Sequence, residues 1–329
     1  MTAFRAKLWL FVLNNASLVL FVVVLAVFGG LSPKFFTGPN LSNILVQSSA
    51  TAIVAVGMTF VLLTAGVDLS VGAIMFVAAA VAGKLVLGGA PLWLALLVIL
   101  AVGLVFGAVN AFFITRLRLI AFIVTLATLY LGRGFALWFA ETRAMNLPES
   151  FLTLGSLNWL GLPLPIIILA LVTAIAQLTL KRTPFGRQIY AVGQDLEGAR
   201  KAGVAVERIL AAVYIISGFC AAVGGILALA QLGSVSPTFG TNKEFAAIAA
   251  AVLGGTSLFG GRGQVFPGTV LGAVLIQSVE NGLVILNADP YLYSLVTSGI
   301  IFIAVLTDSI RNGLLAKLTR RKIRVEEVG

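Results

Sequence analysis

KRTPFGRQIYAVGQDLEGARKAGVAVER, Lys181 to Arg208, is the longest charged interruption in a chain whose other long runs are apolar. PLPIIILALVTAIAQLTL, 163 to 180, precedes it, and ILAAVYIISGFCAAVGGILALAQ, 209 to 231, follows it, neither with a charged residue. Runs of this kind cross lipid as helices, because an unpaired backbone amide in hydrocarbon costs several kcal/mol. A closed barrel would need alternation at period 2, whereas these runs are uniformly apolar. The alternation of apolar run and polar break recurs from end to end, and it decides the fold class.

Composition agrees. By length alone, 329 residues could make two soluble domains, but 60% of them are hydrophobic, only 10% are charged, and mean hydropathy is +1.08. Thirty-five glycines suit helices packed backbone to backbone, since lipid provides no hydrophobic drive for association. The lone Cys220 cannot form an internal disulfide. With no histidine in the chain the commonest ligand for zinc, copper or non-haem iron is missing, so neither a metal site nor a metal enzyme is expected. The net charge of +10 invites a nucleic-acid reading. Its placement beside span ends, which an anionic leaflet and the positive-inside bias select, argues for membrane lipid and against nucleic acid. The N-terminal MTAFRAKLWLF looks superficially like a signal peptide, but its apolar run continues past Val27 without a small-residue cleavage site and is expected to remain as a first span.

The sequence predicts an all-α polytopic membrane protein with about ten spans, some broken or re-entrant, forming one transmembrane domain over 1–329. The expected spans are 8–28, 49–64, 71–87, 91–115, 119–139, 163–180, 209–231, 245–254, 265–286 and 291–307; the second and eighth are short for the ~20 residues a straight crossing needs. With the N-terminus inside, Arg5, Lys7, Arg116, Arg118, the 181–208 loop, Arg262 and the basic tail from Arg311 to Gly329 all fall in the cytoplasm. Lys34, Lys84, Arg143 and Lys243 fall outside. Both termini are then cytoplasmic.

Several polar residues stand in or between these runs. In TAGVDLSVG, 64 to 72, Asp68 requires a protein-lined break, because an uncompensated aspartate in hydrocarbon costs about 2.5–3.5 kcal/mol. Its carboxylate can accept from free N–H groups at the start of the next helix, with Ser70 helping, so it reads as a helix cap or as part of a solute path. Asn110, Arg133, Glu280 and Asn281 could hydrogen-bond between helices or line a cavity for a polyhydroxylated solute, which needs donors and acceptors in an apolar wall. Gln47 and Gln277 join them weakly. Trp138, Trp159, Tyr291 and Tyr293 read as interface anchors. GGTSLFGGRGQVFPG, 254 to 268, lacks the Gly-Lys-Ser/Thr ending of a phosphate loop; Gly254, Gly255, Gly260, Gly261 and Gly263 form a flexible reversal between packed helices. Within the long loop, Asp195 and Glu197 precede Arg200 and Lys201, a charge order that suits a short helix ended at Gly203. Its small residues, among them Gly193, Gly198 and Ala199, would let another protein approach closely.

VDLSVG after a short second span, YAVGQDLEGARKAGV in the central loop and IAAAVLGGTSLFGGRGQVFPGT late in the chain together resemble the permease subunits of bacterial ABC sugar importers. The similarity covers essentially the whole chain and points to the ribose, xylose, arabinose and galactose group, which includes autoinducer-2 permeases. The resemblance implies a non-enzymatic inner-membrane subunit that pairs with a second copy or a homologous permease. It receives a small sugar from a periplasmic binding protein. Two cytoplasmic ATPase domains drive it, and ATP and Mg bind there; no cofactor is expected on this chain. It also implies that 190–204 is a coupling helix docking on the ATPase, through Tyr190, Gly193, Asp195, Glu197, Ala199, Arg200 and Gly203. Asp68, Ser70, Asn110, Gln277, Glu280 and Asn281 are the substrate-path candidates. At Gln194, Asp195 and Gly198 the chain departs from the family pattern; Gly198 would loosen the helix by up to ~1 kcal/mol relative to alanine.

Two other classes compete. An ion-coupled secondary transporter should repeat buried carboxylates or broken helices in both halves, and here only Asp68 and Glu280 qualify. A membrane enzyme would need a nucleophile–base pair, for which no histidine is available. Within the ABC class, a permease for autoinducer-2, a polyol or a branched-chain amino acid is the alternative.

Overall fold

The computed structural model describes residues 16–289, with 291–293, 295–300, 302, 303 and 306. Its helices are α1 (Ala16–Leu31), α2 (Gly38–Leu63), α3 (Val71–Leu87), α4 (Leu92–Thr115), α5 (Ala121–Phe139), α6 (Glu149–Ser156), α7 (Leu164–Arg182), α8 (Pro184–Gln194), α9 (Leu196–Lys201), α10 (Val206–Leu232), α11 (Lys243–Leu253) and α12 (Val270–Ile285), the last preceded by a π-helical turn at Val265–Thr269. Among the described residues strand pairing is confined to two antiparallel two-residue ladders: β1 (Met145–Asn146) with β4 (Ser234–Val235), and β2 (Asn158–Trp159) with β3 (Leu162–Pro163).

Among the described residues six helical runs are long and apolar enough to cross a membrane: α2, α4, α5, α7, α10 and the run Val265–Ile285. The protein is an all-α polytopic membrane protein with six such helices among the described residues, and the expectation of about ten is wrong. The errors have a common cause. Hydrophobicity read along a chain does not separate a run that faces lipid from one enclosed by other helices. The expected third span, α3, has 17 residues, about 26 Å at 1.5 Å per residue, and its first ten residues are almost wholly buried. The eighth, α11, has 11 residues, about 17 Å. The second was drawn too short: the polar residues before Ser49 continue the same helix, and α2 has 26 residues. Of the first expected span, only Leu18–Leu31 counts as a shorter apolar helix; residues 8–15 lie outside the described residues. The tenth, 291–307, is described only in part, and the tail from Arg311 and both termini lie outside the described residues. The parity argument that placed both termini in the cytoplasm rested on ten crossings and falls with that count.

The contacts divide the chain into two units, Met1–Thr37 with Ser278–Gly329, and Gly38–Gln277. In the first, Phe28 stacks on Phe35 with ring centroids 5.7 Å apart, and Gly282 of α12 leaves room for the Phe28 ring. In the second, α2 is central: 78% of its most apolar window is buried, against 22% for α4. Helix α10 packs along α2, α3 and α4. Small residues permit that approach. A Cβ on Gly218 would fall 2.2 Å from the Gly103 carbonyl oxygen, and one on Gly103 would fall 2.4 Å from the Gly218 oxygen. At the α2–α10 crossing, Gly57 faces Cys220 and Gly224 faces Val54. Dispersion at backbone-to-backbone distance supplies cohesion that lipid exclusion cannot. Local signals end the elements. Pro184 opens α8 at a position whose N–H needs no partner, and Thr183 caps it by accepting from the Gly186 N–H at 3.1 Å. Gly233 closes α10 in the left-handed region at φ 64°, where glycine carries no Cβ penalty.

Candidate functional site

Two polar assemblies form inside the Gly38–Gln277 unit. The first surrounds Asp68, in the break between α2 and α3. Its Oδ1 accepts from the Ser70 N–H at 3.0 Å and the Ser70 hydroxyl at 2.6 Å, and its Oδ2 accepts from the Ser217 hydroxyl of α10 at 2.7 Å. Asn110 of α4 donates from Nδ2 to Ser70 Oγ at 2.8 Å, and its Oδ1 accepts from Thr128 of α5 at 2.7 Å. The Val67 carbonyl beside it accepts from the hydroxyls of Thr125 at 3.3 Å and Tyr214 at 3.4 Å. Asp68, Ser70, Asn110 and Ser217 are fully buried. One continuous chain of hydrogen bonds thus ties the start of α3 to α4, α5 and α10. The three bonds leave neither carboxyl oxygen without a donor, as a fully buried polar group requires. Ser217, Thr128 and Tyr214 were not singled out from sequence, because a hydroxyl in an apolar run has no local signature.

The second assembly joins the two glycine-bearing motifs. Leu63, the last residue of α2, accepts from the Gly261 N–H at 2.9 Å, and Tyr190 donates to the Gly263 carbonyl at 2.8 Å. Burial pushes the Tyr190 phenol above its ordinary value, so it remains a donor at neutral pH. Gly193 lies between them: a Cβ there would stand 1.7 Å from Leu63 O and 2.5 Å from Gly261 N. Gly260 and Gly261 take left-handed backbone at φ 82° and 67°, pressed against Gly193, Ala65 and Gln194. Ile189, Val192 and Ala199 are buried in one cluster with Phe60, Leu63 and Val206. The small positions Gly193 and Ala199 therefore face this chain's own core. Asp195, Glu197, Arg200 and Gly203 are exposed.

Asp195 caps α9, accepting from the Gly198 N–H at 3.0 Å. A Cβ on Gly198 would fall 2.5 Å from the other Asp195 carboxylate oxygen, so glycine there makes room for the cap. Arg200 binds Glu197 at 2.8 Å and Glu207 at 2.9 Å. Gln177 of α7 pairs with the Phe266 backbone in both senses, donating to its carbonyl at 2.8 Å and accepting from its N–H at 3.2 Å.

The remaining candidates lie elsewhere. Gln277 donates to Gln47 at 2.9 Å. Glu280 is half-buried and Asn281 is buried, both in the other unit. Gly254 packs on Gly268, and Gly255 turns at φ 89°. Arg133 donates to the Thr241 hydroxyl and lies over the Phe76 ring, 5.6 Å from its centroid. Glu244 of α11 is buried within reach of the Arg133 charge. It was overlooked although it is an acid in an apolar run, the signal that exposed Asp68. Among the described residues no three acidic, thiol or imidazole groups gather to hold a metal.

Residues 40–306 match the family described as branched-chain amino acid transport system / permease component. The ribose import permease protein RbsC of Haemophilus influenzae is 37% identical over 91% of this chain and 94% of its own. The D-allose transport system permease protein AlsC of Escherichia coli is 37% identical over 87% of this chain and 88% of its own. The autoinducer 2 import system permease protein LsrC of Photorhabdus laumondii is 33% identical over 95% and 94%. No solved structure matches. A family match over most of the chain, with relatives aligned nearly end to end, leaves one conclusion: this multi-pass inner-membrane protein belongs to the permease subunits of bacterial ABC sugar importers.

Proposed function

We propose that the chain translocates a small sugar of the pentose or hexose type, handed over by a periplasmic binding protein and driven by separate cytoplasmic ATPase subunits that bind ATP and Mg. It works as one of a permease pair, with a second copy or a homologous chain. The observation that carries the coupling half of this reading is the α8–α9 elbow. Gly193, Tyr190 and Ala199 lock it onto the end of α2 and the 254–263 loop, while Asp195, Glu197 and Arg200 face outward. A rigid elbow fixed to the central helix can carry a push from the ATPase into the bundle. In this reading the 181–208 loop and Arg262 lie in the cytoplasm.

Asp68, Ser70 and Asn110 border the solute path by holding its helices rather than by touching sugar, since their side-chain atoms bond within the protein. Gln277, which also donates to Gln47 at 2.9 Å, stands with Glu280 and Asn281 as a further candidate for the path.

The test is co-purification. E197K combined with R200E should leave membrane insertion and the elution profile unchanged and lose the ATPase on affinity purification. An undiminished ATPase yield would refute docking at this face. The solute is read from the binding protein encoded with this permease: a ligand that is an amino acid would overturn the sugar assignment.

A further inference from the structure

A groove of about 470 Å³ runs between α4 and α5, walled by apolar side chains from Val105 and Phe113 to Ala127 and Phe135, with Thr128 its one hydroxyl. Along α5 it extends from Ile123 to Phe135, about 18 Å at 1.5 Å per residue, close to the ~15 Å of one hydrocarbon leaflet. It ends at Leu119, in the α4–α5 turn Arg116-Leu117-Arg118-Leu119-Ile120. In that turn Leu117, Leu119 and Ile120 are exposed, as are both arginines. Neither arginine forms an ion pair among the described residues. Glu207, the acid that Arg118 influences, is already bound to Arg200 at 2.9 Å.

We infer that this groove is a binding site for one anionic phospholipid. An acyl chain lies between α4 and α5, and the phosphate is held by Arg116 and Arg118. Two observations converge. The cleft has the length of a single leaflet, and two unpaired guanidiniums stand at its headgroup end. The positive-inside bias explains basic residues in a turn; it does not explain an apolar cleft of leaflet length opening at them. A guanidinium's five N–H donors suit phosphate oxygens. In the orientation proposed above, the site opens to the cytoplasmic leaflet.

The test uses the purified full-length permease reconstituted in vesicles of phosphatidylcholine mixed with phosphatidylglycerol. Native mass spectrometry counts the lipids it retains after extraction, and size exclusion reports its oligomeric state. One retained phosphatidylglycerol is expected. R116Q with R118Q should lower the preference for phosphatidylglycerol over phosphatidylcholine about thirtyfold, near 1 kcal/mol per arginine. A127W should fill the cleft and abolish retention of either lipid. Unchanged phosphatidylglycerol retention in either variant overturns the site. So does a change of oligomeric state in A127W with lipid retention intact, which would make the cleft a contact between permease copies. Loss of ATPase docking with normal lipid retention would bear only on the coupling reading, so the two proposals fail separately.

Discussion

Replacing Gly193 by alanine tests whether the α8–α9 elbow is welded to the bundle. The added Cβ would lie 1.7 Å from Leu63 O and 2.5 Å from Gly261 N, where ordinary contact begins at 3.4 Å. All the nearest atoms are backbone, so no side-chain rotation relieves the clash. Either α8 retreats, which breaks the 2.8 Å bond from the Tyr190 hydroxyl to the Gly263 carbonyl, or the glycine loop does, which breaks the 2.9 Å bond from Gly261 N–H to Leu63 O. Overpacking of this kind costs about 1–3 kcal/mol, and the lost bond adds about 0.5–1.5 kcal/mol. The midpoint of thermal loss of the monodisperse detergent-solubilised protein should fall by several degrees. Membrane insertion should persist, because the apolar runs are untouched. Solute-stimulated ATP hydrolysis by the reconstituted complex should fall more steeply than ATPase binding, since the elbow would still present its face but no longer transmit force. Gly134→Ala, whose Cβ would meet nothing within 4 Å, serves as the control. A G193A protein matching G134A in midpoint and stimulated hydrolysis would refute the reasoning.

Three further outcomes follow from the packing. Asp68→Asn and Ser217→Ala each weaken the buried chain, the former by about 1.5–3 kcal/mol; the double variant should be non-additive by at least ~0.5 kcal/mol, and simple additivity in thermal unfolding would separate the two residues. Gln177→Ala removes both bonds to the Phe266 backbone and should cost about 1–3 kcal/mol, measurable as faster proteolysis within 254–269; an unchanged rate would show that the turn holds itself. Gly218→Val should force α4 from α10 at the Gly103 crossing and reduce the yield of folded protein sharply, while Gly30→Val, where a Cβ meets nothing within 4 Å, should not.

Much of the 181–208 loop was legible because its signals are local. The acids Asp195 and Glu197 precede Arg200 and Lys201, and Gly203 stops the turn at φ 84°. Asp68 stood out because a charge amid apolar residues must be compensated, and its bond to the next helix start lies two residues away. Its other partners, Ser217, and Asn110 through Ser70, come from 149 and 40 residues along the chain, a pairing that no periodicity encodes. The small residues of the loop were half misread. Smallness at Gly193 and Ala199 suggested an approaching partner, and the approaching surface is this chain's own α2 and glycine loop.

The sequence by itself determined that the chain is helical and crosses a membrane, because backbone desolvation leaves an apolar run of that length no other structure in lipid. It also determined where its polar breaks and caps fall, since those interactions act within one turn. Only the tertiary structure decided how many runs are long enough to span and which are enclosed, as with α3 and α11. It likewise decided that Gly193 belongs to an internal seam and that Asp68 binds α10. Burial and close approach depend on what packs beside a residue, and that neighbour is set by the fold of the whole chain rather than by the residues on either side.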